Sequence, residues 1–565
     1  MQPPPPADVG AVQVQIAGML VSTNVKQGTR LAVDPAVLVL YAATLCALAV
    51  FVIYPTVRVL ITPKLANLIE VLTNTRTLHA ARNSVVITLL STTSSTLLGF
   101  TFAFAATRRD IPLRHVFRRI GMLPLFAPPF MVAFAYILVF GRQGLISRHL
   151  LGLDINIFGW HGLWLAQTIG MFPLSTVIIR GVLEGIQPST EQAALTLGAS
   201  ETTALRTVLI PLALPGIIGA MLVVAITVLA DFGNAVVIAG NYPVLATEAW
   251  IRMDGLGDLQ GAAVIVSVLM IPAVGLFMGS RALLGDRVFT TVTGRGADVD
   301  QIATPAVIKI AVMTVCSVTS VLVLLVYGGI LLAGLVNKWG SDWSLTLRHW
   351  SEVMSYSDEL RISLVISVLA GLLTAVAGQI IAFLHSRSLR FRGALDFLAV
   401  LPGALPGVFI GVGYVLAFNA PPIELADTIW IVVFALGFWH LPHAYQATKG
   451  AIGQVHQSIE DSARDLGASE IRLVTDVYVP LLSRSLLASF IQSFIRSVSN
   501  VSVVVFMIAP GQILVSAVIL RMIGSSSWSD GAALTTVLLA ITFVCVGLAE
   551  GISRWLGAPA RGSQL

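Results

Sequence analysis

Twelve stretches of this chain, each about 20 residues long and mostly apolar, leave it few ways to fold. They cover roughly 36–58, 84–107, 120–141, 162–183, 212–231, 260–284, 307–336, 362–385, 394–418, 427–447, 484–508 and 531–553. A run of about 20 residues coiled as an α-helix matches the apolar thickness of a bilayer. No water reaches backbone N–H and C=O groups inside lipid, so a spanning segment must be a helix or part of a closed barrel. These runs are too long and too continuous for barrel strands. The expected fold is therefore an all-α membrane protein with about 12 transmembrane helices. Composition agrees, since only 11% of the 565 residues are charged, against about 25% in soluble domains. So little charge cannot cover a water-facing surface of this size, which excludes a soluble enzyme, a disordered regulator and a fibrous protein.

The few charges have a pattern. The loop 108–119 carries Arg108, Arg109, Arg114, Arg118 and Arg119, and the loop 386–393 carries Arg387, Arg390 and Arg392. Lysine and arginine concentrate on the cytoplasmic side of membrane proteins. With both loops inside and an even number of spans, both termini are cytoplasmic. Of the 34 lysines and arginines, 22 then lie inside and 11 outside, with Arg496 within a span. The net charge of +5 is thus a topology signal, and no nucleic-acid partner is expected; the surrounding partner is membrane lipid. Cys46, Cys316 and Cys545 sit far apart in apolar runs, with neither metal-ligand spacing nor a disulfide framework. The opening MQPPPPADVG lacks a basic region followed by an apolar one, so no signal peptide is expected.

An internal repeat organises the chain. Pro173–Pro211 aligns without a gap on Pro442–Pro480, at an offset of 269. Arg180 meets Lys449, Glu191 meets Glu460, Ala194 meets Ala463, and Leu197-Gly198-Ala199-Ser200-Glu201 meets Leu466-Gly467-Ala468-Ser469-Glu470. Upstream, Pro124, Pro128 and Tyr136 meet Pro402, Pro406 and Tyr414 at an offset of 278. The expected division is a cytoplasmic tail at 1–35, a six-span half at 36–285, a cytoplasmic linker at 286–306, a second six-span half at 307–556 and a tail at 557–565. Six spans per copy give both copies the same orientation. Parallel repeats imply a pseudo-twofold axis along the membrane normal, with a path where the halves meet.

The repeated segment is the loop after the fourth span of each half. Pro188-Ser189-Thr190 before Glu191 signals a helix start, Gly198 ends that helix, and Ser200 can cap another. The second copy repeats the signals with Gln457-Ser458, Gly467 and Ser469. Two short helices pivoting on a glycine make a compact cytoplasmic knob. At these residues the chain resembles the permeases of ABC importers. The Glu-x-x-Ala-x-x-x-Gly pattern, followed by an aliphatic-Pro step, is similar to their "EAA" loop. Here it comprises Glu191, Ala194, Gly198 and Pro211, and again Glu460, Ala463, Gly467 and Pro480. LADFGNAVVIAGNYPVLATEAW (229–250) and FIRSVSNVSVVVFMIAPG (494–511) resemble the fused two-half permeases of the ferric-iron import group.

That resemblance implies the type I ABC importer permease fold in a bacterial inner membrane. It implies ferric iron as substrate, a periplasmic or lipid-anchored substrate-binding protein outside, and two copies of an ATPase subunit gripping the two loops. Similar permeases carry 2-aminoethylphosphonate, thiamine or polyamines. Gln192 and Asp461-Ser462 depart from the family's alanines after the glutamates, and Pro215 is matched by Arg484.

No G-x-x-x-x-G-K-[ST] loop is present, so ATP belongs on partner subunits. No cofactor, catalytic arrangement or metal site is expected in this chain. Ionisable groups within spans are costly and mark function. Asp231, with Asn234, and Arg496, with Ser499, Asn500 and Ser502, therefore mark a translocation path; a structural Asp231–Arg496 pair is the competing reading. His440 and His443 flank Pro442 and read as interfacial or packing residues. Pro124, Pro128, Pro129, Pro402 and Pro406 are expected to kink the third span of each half, and Tyr136 and Tyr414 to anchor at the membrane interface. An ion-coupled secondary transporter is the alternative of another class. It calls for carboxylates in mid-span, which are nearly absent.

Overall fold

The computed structural model describes residues 35–284, 302–387, 391–507 and 514–555. The expected tails at 1–35 and 557–565 and most of the linker at 286–306 lie outside the described residues. The first half contributes α1 (Pro35–Ile61), α2 (Thr75–Thr107), α3 (Pro129–Leu150), α4 (Trp160–Gly185), α5 (Glu201–Leu229) and α6 (Leu259–Leu283). The second contributes α7 (Ala306–Ala333), α8 (Arg348–Ser386), α9 (Gly407–Phe418), α10 (Ile429–Ile452), α11 (Leu473–Val498) and α12 (Trp528–Leu548). A two-stranded hairpin, β1 (Val336–Lys338) with antiparallel β2 (Asp342–Leu345), joins α7 to α8.

Ten of these helices are long and apolar enough to cross a membrane, or eleven if α9 is joined to the bent segment before it. The twelfth expected span is present as α10. It falls short in apolarity because His440, His443, Tyr445 and Gln446 occupy its second half. Of these, His440 and Tyr445 are buried in protein, so they need not meet lipid.

The prolines do more than kink. Leu123–Phe126 and Leu401–Ala404 are 3₁₀ turns that end before Pro128 and Pro406. The second break turns the chain by 110°. A proline ring crowds the residue before it out of the helical region, and Ala127 and Leu405 are indeed extended (ψ 147° and 128°). The expected spans 120–141 and 394–418 are therefore each divided, and α3 starts only at Pro129. Tyr136 and Tyr414 are not interface anchors: both are buried, and the Tyr414 hydroxyl donates to Phe51 O at 2.7 Å. Burial in protein satisfies the hydroxyl where lipid headgroups were expected to.

Within each half, α2 packs along α4, and α8 along α10. Lipid tails are as apolar as leucine, so such helices associate by close packing and polar contacts rather than by escape from water. The close points are glycines. A Cβ on Gly99 would lie 1.9 Å from Ser175 Oγ and 2.9 Å from Phe172 O. One on Gly378 would lie 2.6 Å from Ala444 Cβ and 3.0 Å from Tyr445 N. Around the first contact, Ser91 Oγ donates to Gln167 Oε1 at 2.8 Å and Ser175 Oγ to Ser95 O at 2.8 Å.

The first helix of each half lies on the other half. Phe51 of α1 stacks on Phe434 and Phe438 of α10 at 4.3 and 5.1 Å. In exchange, α7 packs on α2 and α3, and Tyr327 OH donates to Leu123 O at 2.6 Å. The halves are thus interlocked as well as adjacent.

Gly99→Val and Gly378→Val should each lower the yield of monodisperse protein several-fold, because backbone and tightly packed atoms must give way. Gly181→Val, with nothing within 4 Å of its Cβ position, should leave the yield near wild type. Fluorescence-detected size-exclusion in mild detergent reads the difference.

Candidate functional site

The repeated loops fold as two matching knobs. In the first, the helix Pro188–Thr196 ends at Gly198 with φ +90°, and a short helix Glu201–Ala204 follows. In the second, Gln457–Asp465 ends at Gly467 with φ +81°, followed by Glu470–Arg472. Positive φ is open to glycine at little cost and strained for other residues. Ser200 Oγ accepts from Thr203 N and Ser469 Oγ from Arg472 N, each capping the second short helix. A π-helical turn then leads into each following span, Leu205–Leu209 before Pro211 and Leu473–Tyr478 before Pro480. A proline donates no N–H to the turn before it, which favours such a local widening.

The two glutamates of the pattern face inward. Glu191 is buried and bidentate with Arg108, at 2.8 and 2.7 Å. Arg108 is itself buried, follows the last turn of α2 and stands 5.1 Å over the Phe104 ring. Glu460 meets Arg387, which follows the last turn of α8, at 2.8 Å, and also accepts from the Tyr478 hydroxyl. Arg464 bridges Glu460 and Glu470 at 3.4 and 2.9 Å. Each knob is thereby tied to the foot of the second helix of its half. The first tie is sealed; the second is part of a wider, half-buried network.

Of the other pattern residues, Ala194 and Ala463 are half-buried, while Gly198, Gly467, Pro211 and Pro480 are exposed. What the knobs offer outward is leucine. Leu197 and Leu466 stand at the same place before each glycine, 89% and 88% exposed. A third network joins the halves near this end. Asp396 accepts from Arg281 of α6 at 3.2 Å, from Lys449 at 3.0 Å and from Tyr445 at 2.6 Å.

The polar stretch separates into parts. Asp231 accepts from Gln167 Nε2 at 3.0 Å and from Asn234 Nδ2 at 2.9 Å, and Asn234 Oδ1 accepts from Ala133 N at 3.3 Å. Asp231 and Asn234 are both buried. Asn500 Oδ1 accepts from Val503 N at 3.0 Å, and Ser499 Oγ donates back to Ile495 O at 2.9 Å. Ser502 is half-buried beside Gly407. Arg496 is exposed, and its polar contact is His443 Nε2 at 3.4 Å. The competing Asp231–Arg496 pair does not form.

Sequence reasoning missed Arg108, Arg387 and Tyr478. Its signal was available, because an arginine directly follows the second span of both halves, but it was absorbed into the charge bias that sets topology. Among the described residues, one group with metal-ligand character is found: His349, Glu352 and Asp530, whose ligand atoms lie within 4.8 Å of one another. Both His349 nitrogens are engaged, Nδ1 with Asp530 at 2.5 Å and Nε2 with Asn337 O at 3.0 Å. Glu352 pairs with Arg348 at 3.0 Å.

A helical membrane bundle made twice from one pattern, with a polar knob at the same place in each half, defines a two-half transport permease. The chain belongs to the family of binding-protein-dependent transport system inner membrane components, whose pattern matches at residues 95–290 and again at 363–558. It is 28% identical over 517 residues to the ferric transport system permease protein FbpB of Actinobacillus pleuropneumoniae, covering 88% of this chain and 75% of that one. A provisionally named ferric transport permease of Haemophilus influenzae is 28% identical over 491 residues, covering 83% and 78%. One half also matches a provisionally named 2-aminoethylphosphonate transport permease, PhnV of Salmonella choleraesuis, at 28% over 233 residues, covering 40% of this chain and 88% of that one. The chain is a multi-pass membrane permease of the ABC importer kind, and the ion-coupled alternative falls with that assignment.

Arg108→Gln should destabilise the first half by about 3–5 kcal/mol, because Glu191 is left charged and buried. The double change Arg108→Leu with Glu191→Leu should cost less than the single one, since no lone charge remains. Thermal unfolding of the purified chain compares them.

Proposed function

We propose that this chain is the membrane-spanning subunit of an ATP-driven importer for ferric iron, itself non-catalytic. Two copies of a separate ATPase grip its two knobs from the cytoplasm, with both chain termini on that side. A periplasmic or lipid-anchored binding protein delivers substrate to the opposite end. The carrying observation is the pair of glycine-hinged knobs, each exposing one leucine and each locked to the foot of its second helix. An exposed leucine on a small, rigid projection fits an apolar cleft on a partner, and two equivalent ones fit a dimer. Closing that dimer would move each knob and its locked helix as one body, the kind of rigid rotation that switches access. Similarity to ferric transport permeases over most of both chains supports the substrate. Asp231, Asn234, Arg496, Ser499, Asn500 and Ser502 are assigned to the path between the halves. A second reading, 2-aminoethylphosphonate on the same scaffold, draws on the one-half match to the Salmonella protein.

Leu197→Ser and Leu466→Ser together should abolish co-purification of the ATPase and substrate uptake while the chain still inserts. Each single change should weaken both. Gly198→Val and Gly467→Val act by backbone strain rather than crowding, since nothing lies within 4 Å of either Cβ position. Together they should likewise stop uptake. Pull-down from membranes carrying the tagged chain, with uptake of radioactive iron, tests this; undiminished uptake in the double leucine variant rejects the docking role.

A further inference from the structure

Arg496 is a cation without an acid. It lies in the last turn of α11, exposed, while Ser493, Ser497 and Asn500 around it are buried. Its polar contact is an imidazole nitrogen, His443 Nε2 of α10, which accepts from the guanidinium at 3.4 Å. Among the described residues no carboxylate lies within ion-pair distance of it, and the nearest acid by symmetry is not available: Asn500 stands where the first half has Asp231. Asp231 is itself held by Gln167 and Asn234. A guanidinium in a membrane-spanning segment is costly unless paired or facing a wet interior.

Two buried polar groups on the same two helices lack partners. His440, one turn before His443, is buried with Nε2 unpaired. Ser497 Oγ is buried and unpaired as well.

The cluster also sits where the halves meet. Pro442, between the two histidines, packs beside Gly403 in the break before α9, where an added Cβ would lie 3.3 Å from the proline ring. The same added Cβ would lie 3.8 Å from the Phe277 ring of α6, in the first half. From there the less buried face of α10 runs Trp439, His443, Gln446 and Ala447 toward the coupling-loop end. In the first half Leu174 and Thr227 stand at the places of His443 and Arg496, so the donors belong to one side of the path alone.

We propose that Arg496, held by His443 and with His440 and Ser497 as further polar contacts, forms an oxyanion subsite of the path, taking a phosphate, phosphonate or carboxylate group. Resting on the importer reading, this sharpens its substrate class: the permease passes an oxyanion-bearing solute, and ferric iron crosses as an anionic chelate rather than as a bare cation. A guanidinium binds carboxylate or phosphate by paired charge-assisted hydrogen bonds, whereas it would repel a trivalent ion.

The test uses the full chain in lipid nanodiscs, with Trp439 as reporter, its ring 5.0 Å from that of His440. Inorganic phosphate, 2-aminoethylphosphonate, citrate and ferric citrate are titrated against fluorescence, with gallium(III) in a non-coordinating buffer as the bare-cation arm. Saturable changes are expected with at least one oxyanion, and the preferred one separates the phosphorus and carboxylate sources. Arg496→Gln should weaken that binding by about 10–100-fold, the loss of one charge-assisted contact, while Arg496→Lys keeps most of it. Gallium binding without oxyanion binding overturns the proposal. So does an unchanged affinity in Arg496→Gln, or no response to any oxyanion. ATPase co-purification, measured on wild type and Arg496→Gln, tests the importer reading separately: its failure in wild type sinks that reading without touching the subsite.

Discussion

The buried ion pair between Arg108 and Glu191, with its looser counterpart between Arg387 and Glu460, governs how the rest of this molecule can move. A charged pair removed from water holds its geometry because separation strands both charges. It joins a loop to the foot of α2, and α2 is in turn fixed to α4 through the glycine contact at Gly99. A push on the loop is therefore received by a pair of full-length helices. In the proposed docking, the positive-φ glycine at the knob's tip sets the angle at which a partner's push arrives, and the serine cap holds the short helix beyond it.

The two halves carry this plan with unequal emphasis. In the first, the tie is sealed, Leu174 and Thr227 stand at the places of His443 and Arg496, and the one acid is enclosed by amide donors. In the second, the tie spreads over Glu460, Glu470, Arg387, Arg464 and Tyr478, and the same places hold His443 and Arg496. The same frame thus carries an arginine with a histidine partner in one half and apolar or hydroxyl side chains in the other. On the proposed oxyanion subsite, this asymmetry suits a solute that presents its charge at one end.

Much of this was legible in the sequence. Apolar runs located the helices because lipid enforces one backbone solution, and the gapless repeat located the knobs, their hinge glycines and their serine caps. Three things were not legible. The inward aim of Glu191 and Glu460 was hidden because the pattern gives spacing but not partners, and the partners follow α2 and α8, far away in sequence. The divided third spans escaped because hydropathy is blind to a proline's effect on the residue before it. The depth of Tyr136 and Tyr414 was lost because an aromatic residue in an apolar run reads alike at an interface and in a core.

The exchange of first helices has a consequence for how the chain is made. The surface of α2 and α3 that α7 covers is finished long before α7 exists. At about 5–20 residues per second of synthesis, the stretch from Leu150 to Ala306 takes on the order of ten to thirty seconds. During that interval the groove faces lipid or a chaperone, with the carbonyl that Tyr327 will meet still waiting. Likewise α1 enters the membrane first and finds its partners, α9 and α10, among the last arrivals. Assembly thus closes like a clasp whose two hooks are cast at opposite times, and a chain interrupted before α7 would leave both hooks open.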